Sequence, residues 1–145
     1  MITGIGHTAF RVRDLEISLH FYCDLLGLER AFDIDRDGKP WITFVHLANG
    51  QFLELFPEPD TTEDFTGNKG SYRHMQLEVD DLEQTISDME ARGLPRTGTP
   101  PRQGRDGNWQ YWLTDPDGNR LELMQIMPDS LHRKFLAARA EVAAR

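Results

Sequence analysis

The chain has 145 residues, enough for one domain or for two small halves that share a core. Apolar residues make up 39% and charged residues 28%, so we expect a modest core that a homodimer would help to bury. The formal net charge of −8 argues against nucleic acid or an anionic membrane as a partner.

The sequence also predicts where the protein resides. No apolar run approaches the roughly 20 residues that a helix needs to span a bilayer, and the N-terminus lacks a signal-peptide pattern. The single cysteine, Cys23, cannot form a disulfide within the chain. We therefore expect a protein of the reducing cytoplasm that does not bind membranes.

The first half, residues 1–57, predicts the order β-α-β-β-β and is called module 1. Its first strand covers residues 4–12, and Asp14 caps a helix that ends at Gly27. Asp35–Gly38 and Asn49-Gly50 have the composition of turns. The remaining predicted strands of this module are 28–34, 40–48 and 51–57.

The second half, residues 71–127, predicts the same order and is called module 2. Residues 58–70 form a polar linker between the modules, and residues 129–143 form a C-terminal helix with a weak apolar stripe. Gln103–Asn108 is rich in glycine and charge, which favours a mobile lid. The predicted elements of this module are a strand at 72–79, a helix at 81–92 and strands at 94–100, 109–114 and 119–127.

The two modules are copies of one pattern. His7, Asp14 and Glu16 recur 67 positions later as His74, Asp81 and Glu83. Leu53-Glu54-Leu55 returns 68 positions later as Leu121-Glu122-Leu123. Such self-similarity is the mark of a duplicated structural unit.

The alternation of each strand places one histidine and one glutamate of each module on the same face. Leucines flank both glutamates, so the leucine faces the helix-covered side and the glutamate faces the other side. If each sheet curls around a cavity, all four side chains point into it. Burying two carboxylates together is costly without a cation, so the pattern predicts a divalent metal site. Its ligands are His7, Glu54, His74 and Glu122.

The other histidines, His20, His46 and His132, have no matching partner and are interpreted as surface or packing residues. A single histidine or glutamate on a strand is more often an ordinary hydrogen-bonded residue than a metal ligand. The metal hypothesis therefore depends on the repetition of the pair.

With these residues in place, the chain resembles the vicinal oxygen chelate superfamily, which includes glyoxalase I, extradiol dioxygenases and bleomycin-binding proteins. The resemblance covers residues 1 to about 127. The motifs that carry it, besides the His–Glu pairs, are Leu26-Gly27-Leu28, Phe52–Leu55, Arg73-His74 and Asp115–Leu123. It implies an α+β fold in which paired βαβββ modules form a cupped mixed sheet, often in a homodimer with sites near the interface.

The resemblance also implies the roles of the four residues. Two histidines and two glutamates form the glyoxalase I-like ligand set, whereas extradiol dioxygenases lack a ligand at the position of Glu54. Such a mixed set accepts Ni²⁺, Zn²⁺, Co²⁺, Mn²⁺ or Fe²⁺. The expected activity is that of a metal-dependent lyase or isomerase that acts on a small substrate with vicinal oxygens through an enediolate. Glu122 or Glu54 is the base, and Glu122 is favoured.

Three further residues are candidates for substrate binding. Arg11 matches an arginine that glyoxalase I uses for the carboxylate of glutathione. Glu58 stands where that family often has asparagine and would repel the same carboxylate, so dependence on glutathione is not predicted. Phe44 and Trp112, at equivalent repeat positions, either line an apolar pocket beside the metal or simply pack in the core.

Two alternatives remain open at this point. The first is an Fe(II) extradiol-type dioxygenase that cleaves catechols, against which the additional acid Glu54 argues. The second is a non-catalytic protein that binds a small molecule or an antibiotic.

Overall fold

The strands and helices occur in the same order in both halves of the chain. The computed structural model describes residues 2–62 and 71–143. The chain forms two compact units, the first containing module 1 and the second most of module 2. The turn Asp115–Gly118, which the sequence places in module 2, belongs to the first unit.

Module 1 contains one mixed sheet of four strands in the order β1-β4-β3-β2. Strand β1 is parallel to β4, and the other neighbours are antiparallel. The helix after β1 begins as α1 and continues as a π-helical segment. The bounds are β1 (His7–Val12), α1 (Leu15–Leu19), the π-helical segment (His20–Leu25), β2 (Glu29–Arg36), β3 (Lys39–His46) and β4 (Phe52–Pro57).

Module 2 repeats this topology, with the strand order β5-β8-β7-β6 and a parallel β5–β8 pair. The predicted α+β class with two βαβββ modules is therefore confirmed. The bounds are β5 (Met75–Glu78), α2 (Leu82–Ala91), β6 (Arg102–Gln103), β7 (Trp109–Thr114) and β8 (Arg120–Gln125), followed by the C-terminal helix α3 (Leu131–Ala143).

Local chemistry begins the helices and closes the turns where the sequence predicts. Asp14 accepts a hydrogen bond from the Ile17 backbone N–H at 3.1 Å, and Asp81 caps α2 in the same way. Asn49 and Gly50 both have positive φ, 52° and 73°, which fits a tight hairpin between β3 and β4.

Each sheet buries the face that the sequence predicts. In module 1, Val12, Leu53 and Leu55 are fully buried, as expected for a strand face covered by a helix. In module 2, α2 packs on β7 and β8. The residues that it helps to bury are Leu82, Ile86, Met89, Tyr111, Leu121 and Leu123. Removal of these apolar surfaces from water is the main driving force for each module.

One prediction about the middle of module 2 is wrong. Residues 94–100 are not a strand, because Pro95 and Pro100 lack the N–H that a ladder needs, and β6 forms only at Arg102–Gln103. Residues 104–108, which follow β6, form a hydrogen-bonded turn, and the role of segment 103–108 as a mobile lid stays a prediction. Gly104 N–H donates to the Asn108 carbonyl at 2.8 Å, and the Asn108 side chain is fully buried.

The segments outside the modules are only partly described. Of the predicted linker 58–70, residues 63–70 lie outside the described residues. Helix α3 begins at Leu131, and its apolar residues Leu131, Phe135 and Leu136 are exposed. No helix among residues 2–62 and 71–143 is long and apolar enough to cross a membrane.

The turn Asp115–Gly118 is held by two buried carboxylates that the sequence analysis did not single out. Asp117 accepts hydrogen bonds from the Arg13 backbone N–H at 3.1 Å and from the Ser18 hydroxyl at 3.4 Å. Asp115 accepts one from the Tyr22 hydroxyl at 2.6 Å. Burial raises the pKa of Asp117. These bonds explain why the turn belongs to the first unit.

The hydrogen bond from Tyr22 to this turn predicts that removal of the Tyr22 hydroxyl lowers the free energy of unfolding. Tyr22→Phe removes a donor from the buried Asp115 carboxylate, so we expect the free energy of unfolding to fall by about 1–3 kcal/mol. Urea denaturation measures this change. Tyr72→Phe, at an exposed position, is the matched control. Equal denaturation midpoints for Tyr22→Phe and the wild type would show that the hydrogen bond contributes nothing.

Candidate functional site

In module 1, strand register places His7 and Glu54 side by side. Ala9 of β1 lies opposite Glu54 of β4, so His7 is on the same face two positions earlier. The His7 Nε2 and Glu54 Oε2 atoms are 3.3 Å apart, and the two side chains are 52% and 13% exposed. Phe44 lies opposite Glu54 on β3, with its ring 6.0 Å from that of His7 in an edge-on arrangement.

Module 2 repeats this arrangement with His74, Glu122 and Trp112. Gln76 of β5 lies opposite Glu122 of β8. The His74 Nε2 and Glu122 Oε2 atoms are 3.0 Å apart, and the two side chains are 30% and 5% exposed. Trp112 lies opposite Glu122 on β7, and its ring is 4.8 Å from that of His74 in an edge-on arrangement.

The predicted pairing of one histidine with one glutamate in each module is therefore present. Among residues 2–62 and 71–143, no group of three or more His, Cys, Asp or Glu side chains is gathered closely enough to hold a metal ion. Each module provides two donors, and the assignment of all four residues to one ion stays a prediction.

The donor atoms of each pair suit a divalent cation. Two atoms that each lie about 2.1 Å from an ion, at right angles to one another, are about 3.0 Å apart. The Nε2–Oε2 separations of 3.3 Å and 3.0 Å are close to this value. Imidazole and carboxylate together suit first-row divalent metals.

Glu122 is the more deeply buried carboxylate of the two pairs. Burial raises its pKa, and the neighbouring His74, through both its charge and its hydrogen bond, opposes that rise. Asp106 raises the pKa further, whereas Arg102 lowers it. The ionised form of Glu122 thus lacks full compensation within module 2, which a cation beside it would provide.

Two buried nitrogen atoms near Glu122 are also unsatisfied. Among the described residues, His74 Nδ1 and Trp112 Nε1 are buried without a hydrogen-bond partner. When a histidine binds a metal through one ring nitrogen, the other normally donates a hydrogen bond. Unpaired polar groups of this kind are uncommon in a buried core, so each of these two nitrogen atoms needs a partner such as a water molecule or a ligand.

Arg11 and the two aromatic candidates occupy different surroundings. The Arg11 guanidinium forms an ion pair with Glu58, with 3.3 Å between Nη1 and Oε2. Phe44 is buried, and Trp112 is half-buried beneath the Arg120 guanidinium, which lies 4.5 Å from the centre of its ring. Both aromatic residues border a His–Glu pair, as the sequence predicts; their contact with substrate stays a prediction.

Of the remaining histidines, His20 and His132 lie on helical segments, whereas His46 shares the face of His7, because both residues lie opposite Phe52. His20 pairs with Asp24 at 2.8 Å on the surface. The His46 ring is tilted by 49° against that of Phe52, with 5.4 Å between ring centres, and His132 Nδ1 lies 2.9 Å from the Asn108 side-chain nitrogen. These contacts agree with the prediction of surface or packing roles.

Sequence analysis missed the aromatic cluster beside the His7–Glu54 pair. Phe32 stacks on Phe44 with 4.5 Å between ring centres, and Phe52 contacts both rings edge-on. The available signal was the spacing of phenylalanines on three adjacent strands. Recognising it required the register of β2 against β3, which two irregularities shift.

The sequence of both modules matches a known family. The family model described as Glyoxalase/Bleomycin resistance protein/Dioxygenase superfamily matches residues 4–123. The chain belongs to this superfamily. The resemblance inferred from the sequence is thereby confirmed.

Individual relatives agree with this assignment. A probable lactoylglutathione lyase of Synechocystis sp. is 30% identical over 123 residues, which cover 82% of this chain and 92% of the relative. The metallothiol transferase FosB of Staphylococcus saprophyticus is 30% identical over 129 residues, which cover 85% of this chain and 77% of the relative. The crystal structure of a glyoxalase family protein from Enterococcus faecalis superposes with a TM-score of 0.69 at 25% identity, covering 83% and 96%.

A metal site needs Glu122 in its ionised form, but burial of that charge should lower the stability of the metal-free protein. Because its folded-state pKa is raised, the ionised carboxylate costs stability above its ordinary value of 4.5. Glu122→Gln should therefore raise the free energy of unfolding of chelator-treated protein at pH 7. The gain should shrink as the pH falls toward 4.5.

Thermal unfolding over this pH range measures the effect. Glu78→Gln, at an exposed position of β5 in the same module, is the matched control and should change little. A less stable Glu122→Gln protein at pH 7 would mean that the charge is already compensated without a metal.

Proposed function

We propose that this protein is a metal-dependent lyase or isomerase of the glyoxalase I type, acting on a small substrate with vicinal oxygens. The observation that carries the proposal is the recurrence of one arrangement in both modules. In each module a histidine and a glutamate lie within 3.3 Å of one another, beside an aromatic ring. Relatives named lactoylglutathione lyase and metallothiol transferase support a reaction that involves a metal and a thiol-derived substrate.

The ligands in this proposal are His7 and Glu54 of module 1 with His74 and Glu122 of module 2. Four donors leave about two positions of a six-coordinate ion for water or for two adjacent substrate oxygens. The bound ion would polarise the substrate carbonyl and stabilise the negative charge that proton removal leaves on the oxygens. The second glutamate of this set, Glu54, is the feature that separates the proposal from catechol cleavage.

Glu122 is the base in this proposal. It accepts the proton from the carbon that carries the hydroxyl group, and the electrons of the C–H bond stay in the substrate. The same carboxyl then returns the proton to the neighbouring carbonyl carbon, while the hydroxyl proton passes to the carbonyl oxygen. The product is an isomer of the substrate, with no atom gained or lost.

Two side chains support this role. His74 Nε2 lies 3.0 Å from Glu122 Oε2, so a metal ion held by His74 would lie directly beside the base. Trp112, opposite Glu122 on β7, presents an apolar ring beside it, and exclusion of water strengthens every charge interaction in the site. A homodimer and a cytoplasmic location remain part of the proposal.

The role of Glu122 predicts a loss of turnover without a loss of metal. Glu122→Gln keeps an oxygen that can bind a metal but cannot accept the proton, so we expect turnover to fall by about 10²–10⁴-fold. The substrates to assay are methylglyoxal hemithioacetals, 2-hydroxyketones and catechols, with protein purified without chelator. Metal content is measured on the same samples.

Glu83→Gln, at an exposed position of α2, is the control and should keep wild-type turnover. Near-normal turnover in Glu122→Gln would remove Glu122 from the role of base. Oxygen uptake with catechols, without isomerisation of any hydroxycarbonyl compound, would contradict the proposed reaction itself.

A further inference from the structure

The C-terminal helix α3 is exposed along the whole of its described surface. Residues 131–140 are all exposed, and the large apolar side chains of Leu131, Phe135 and Leu136 are 60%, 64% and 56% exposed. A helix of 13 residues is about 20 Å long. Helices of this length are marginal in water unless an apolar face is packed against another surface. Helix α3 therefore needs a surface that covers it.

The first turn of α3 is held firmly by module 2. The Leu131 backbone N–H donates to the Asp106 carbonyl at 2.9 Å. The buried side-chain nitrogen of Asn108 lies 2.9 Å from His132 Nδ1. These contacts fix the point at which α3 begins, while the rest of the helix stays available to a partner.

One face of α3 combines apolar and basic side chains. Leu131 and Phe135 are four positions apart and are therefore neighbours on the helix surface. Lys134 follows Leu131 by three positions, and Arg139 follows Phe135 by four, so both basic residues border the apolar ones. This face suits a partner surface that carries an apolar side chain next to acidic ones.

The charge of the chain indicates that a second copy provides this surface. Helix α3 contains three basic residues and one acidic residue, whereas the whole chain carries a net charge of −8. The remainder of the chain is therefore strongly acidic and attracts α3 of another copy. Two α3 helices side by side would repel one another, and an anionic membrane would repel the acidic remainder of the chain.

The surface of the first helix in module 1 has the complementary composition. Ile17 of α1 is 54% exposed, and its neighbour Glu16 is exposed as well. Asp24, in the π-helical segment that continues α1, has a side chain that is 71% exposed and lies 2.8 Å from His20. Glu16, Ile17 and Asp24 are called the α1 patch.

Strand β2 offers a poorer fit to α3. Phe32 and Ile34 are also exposed, 49% and 42%, but Asp33 lies between them and points to the opposite side of the strand. The Arg36 guanidinium lies over the ring of Trp41, 3.6 Å from its centre, and would repel a basic helix. The α1 patch is therefore favoured.

We propose that α3 docks on the α1 patch of a second copy, so that two copies exchange their C-terminal helices in a symmetric dimer. Phe135 covers Ile17, while Lys134 and Arg139 face the two acids of the patch. Helix exchange rests on the homodimer of the proposed function but not on its reaction, so association and turnover can fail separately.

Charge reversal on each side of the contact tests the exchange. The helix variant carries Lys134→Glu and Arg139→Glu, and the patch variant carries Glu16→Lys and Asp24→Lys. Analytical ultracentrifugation of the full-length chains over a dilution series measures the dimer dissociation constant. Each variant alone should dissociate at least about tenfold more readily than the wild type, because like charges then meet at both contacts.

A mixture of the two variants gives the sharpest result. In a mixed dimer each helix meets a patch of opposite charge, so an equal mixture should associate within about threefold of the wild type. This recovery also shows that both variants are folded, since neither associates well with itself.

Two further variants complete the test. Phe135→Ala removes the apolar side chain at the centre of the contact and should weaken the dimer at least about tenfold. Lys39→Glu combined with Arg92→Glu makes the same change of charge as the helix variant, at exposed positions outside both surfaces. This control should leave the dissociation constant unchanged.

The outcomes separate helix exchange from the rest of the proposed function. A wild type that is monomeric at every concentration would contradict both the homodimer and the exchange. A dimer that the helix and patch variants leave unchanged, or a mixture no tighter than its components, would overturn the exchange alone. Binding to anionic phospholipid vesicles that Phe135→Ala abolishes, without any effect on the dimer, would assign α3 to a membrane instead and would also overturn it.

Discussion

The close approach of an imidazole to a carboxylate, on the face of each sheet that the helix does not cover, is the interaction on which the site depends. It follows from strand alternation. Leu53 and Leu55 are fully buried on one side, so Glu54 must lie on the other. A register shift of one residue would move the glutamate into the core and the leucines out of it. The apolar core therefore fixes where the donors lie.

The same constraint explains which features the sequence predicts. Duplication and alternation predict both βαβββ modules and both His–Glu pairs, because these features depend on local periodicity. Asp14 and Asp81 mark the helix starts through ordinary capping chemistry. Residues 94–100 occupy the place of a strand in the repeated order, but Pro95 and Pro100 prevent regular pairing there.

Features that depend on contacts between distant parts of the chain could not be predicted. The Asp115–Gly118 turn reads as a simple loop, yet its carboxylates bind Tyr22 and the backbone of Arg13, about a hundred residues earlier. The Phe32–Phe44–Phe52 cluster depends on irregular pairing of β2 with β3. Arg11 and Glu58 are far apart in the sequence, and the contact between their side chains depends on the pairing of β1 with β4.

The two modules differ in a way that suits different roles for their glutamates. Glu122 is more buried than Glu54, and the buried nitrogens of His74 and Trp112 without a described partner lie on its side. Module 1 instead offers the partly exposed aromatic cluster and the compensated arginine. Under the proposed function, module 2 supplies the base and module 1 supplies two further metal ligands, so the two copies of the duplicated unit have different tasks.

The most direct test of this account is calorimetric titration of chelator-treated full-length protein with Ni²⁺, in the wild type and in single-histidine variants. Because all four donors serve one ion in the account, the wild type should bind about one ion per chain. His7→Ala and His74→Ala should each abolish tight binding, while His20→Ala, at the surface pair with Asp24, should bind as the wild type does. Two independent ions per chain, or tight binding that survives the loss of either histidine, would contradict the account.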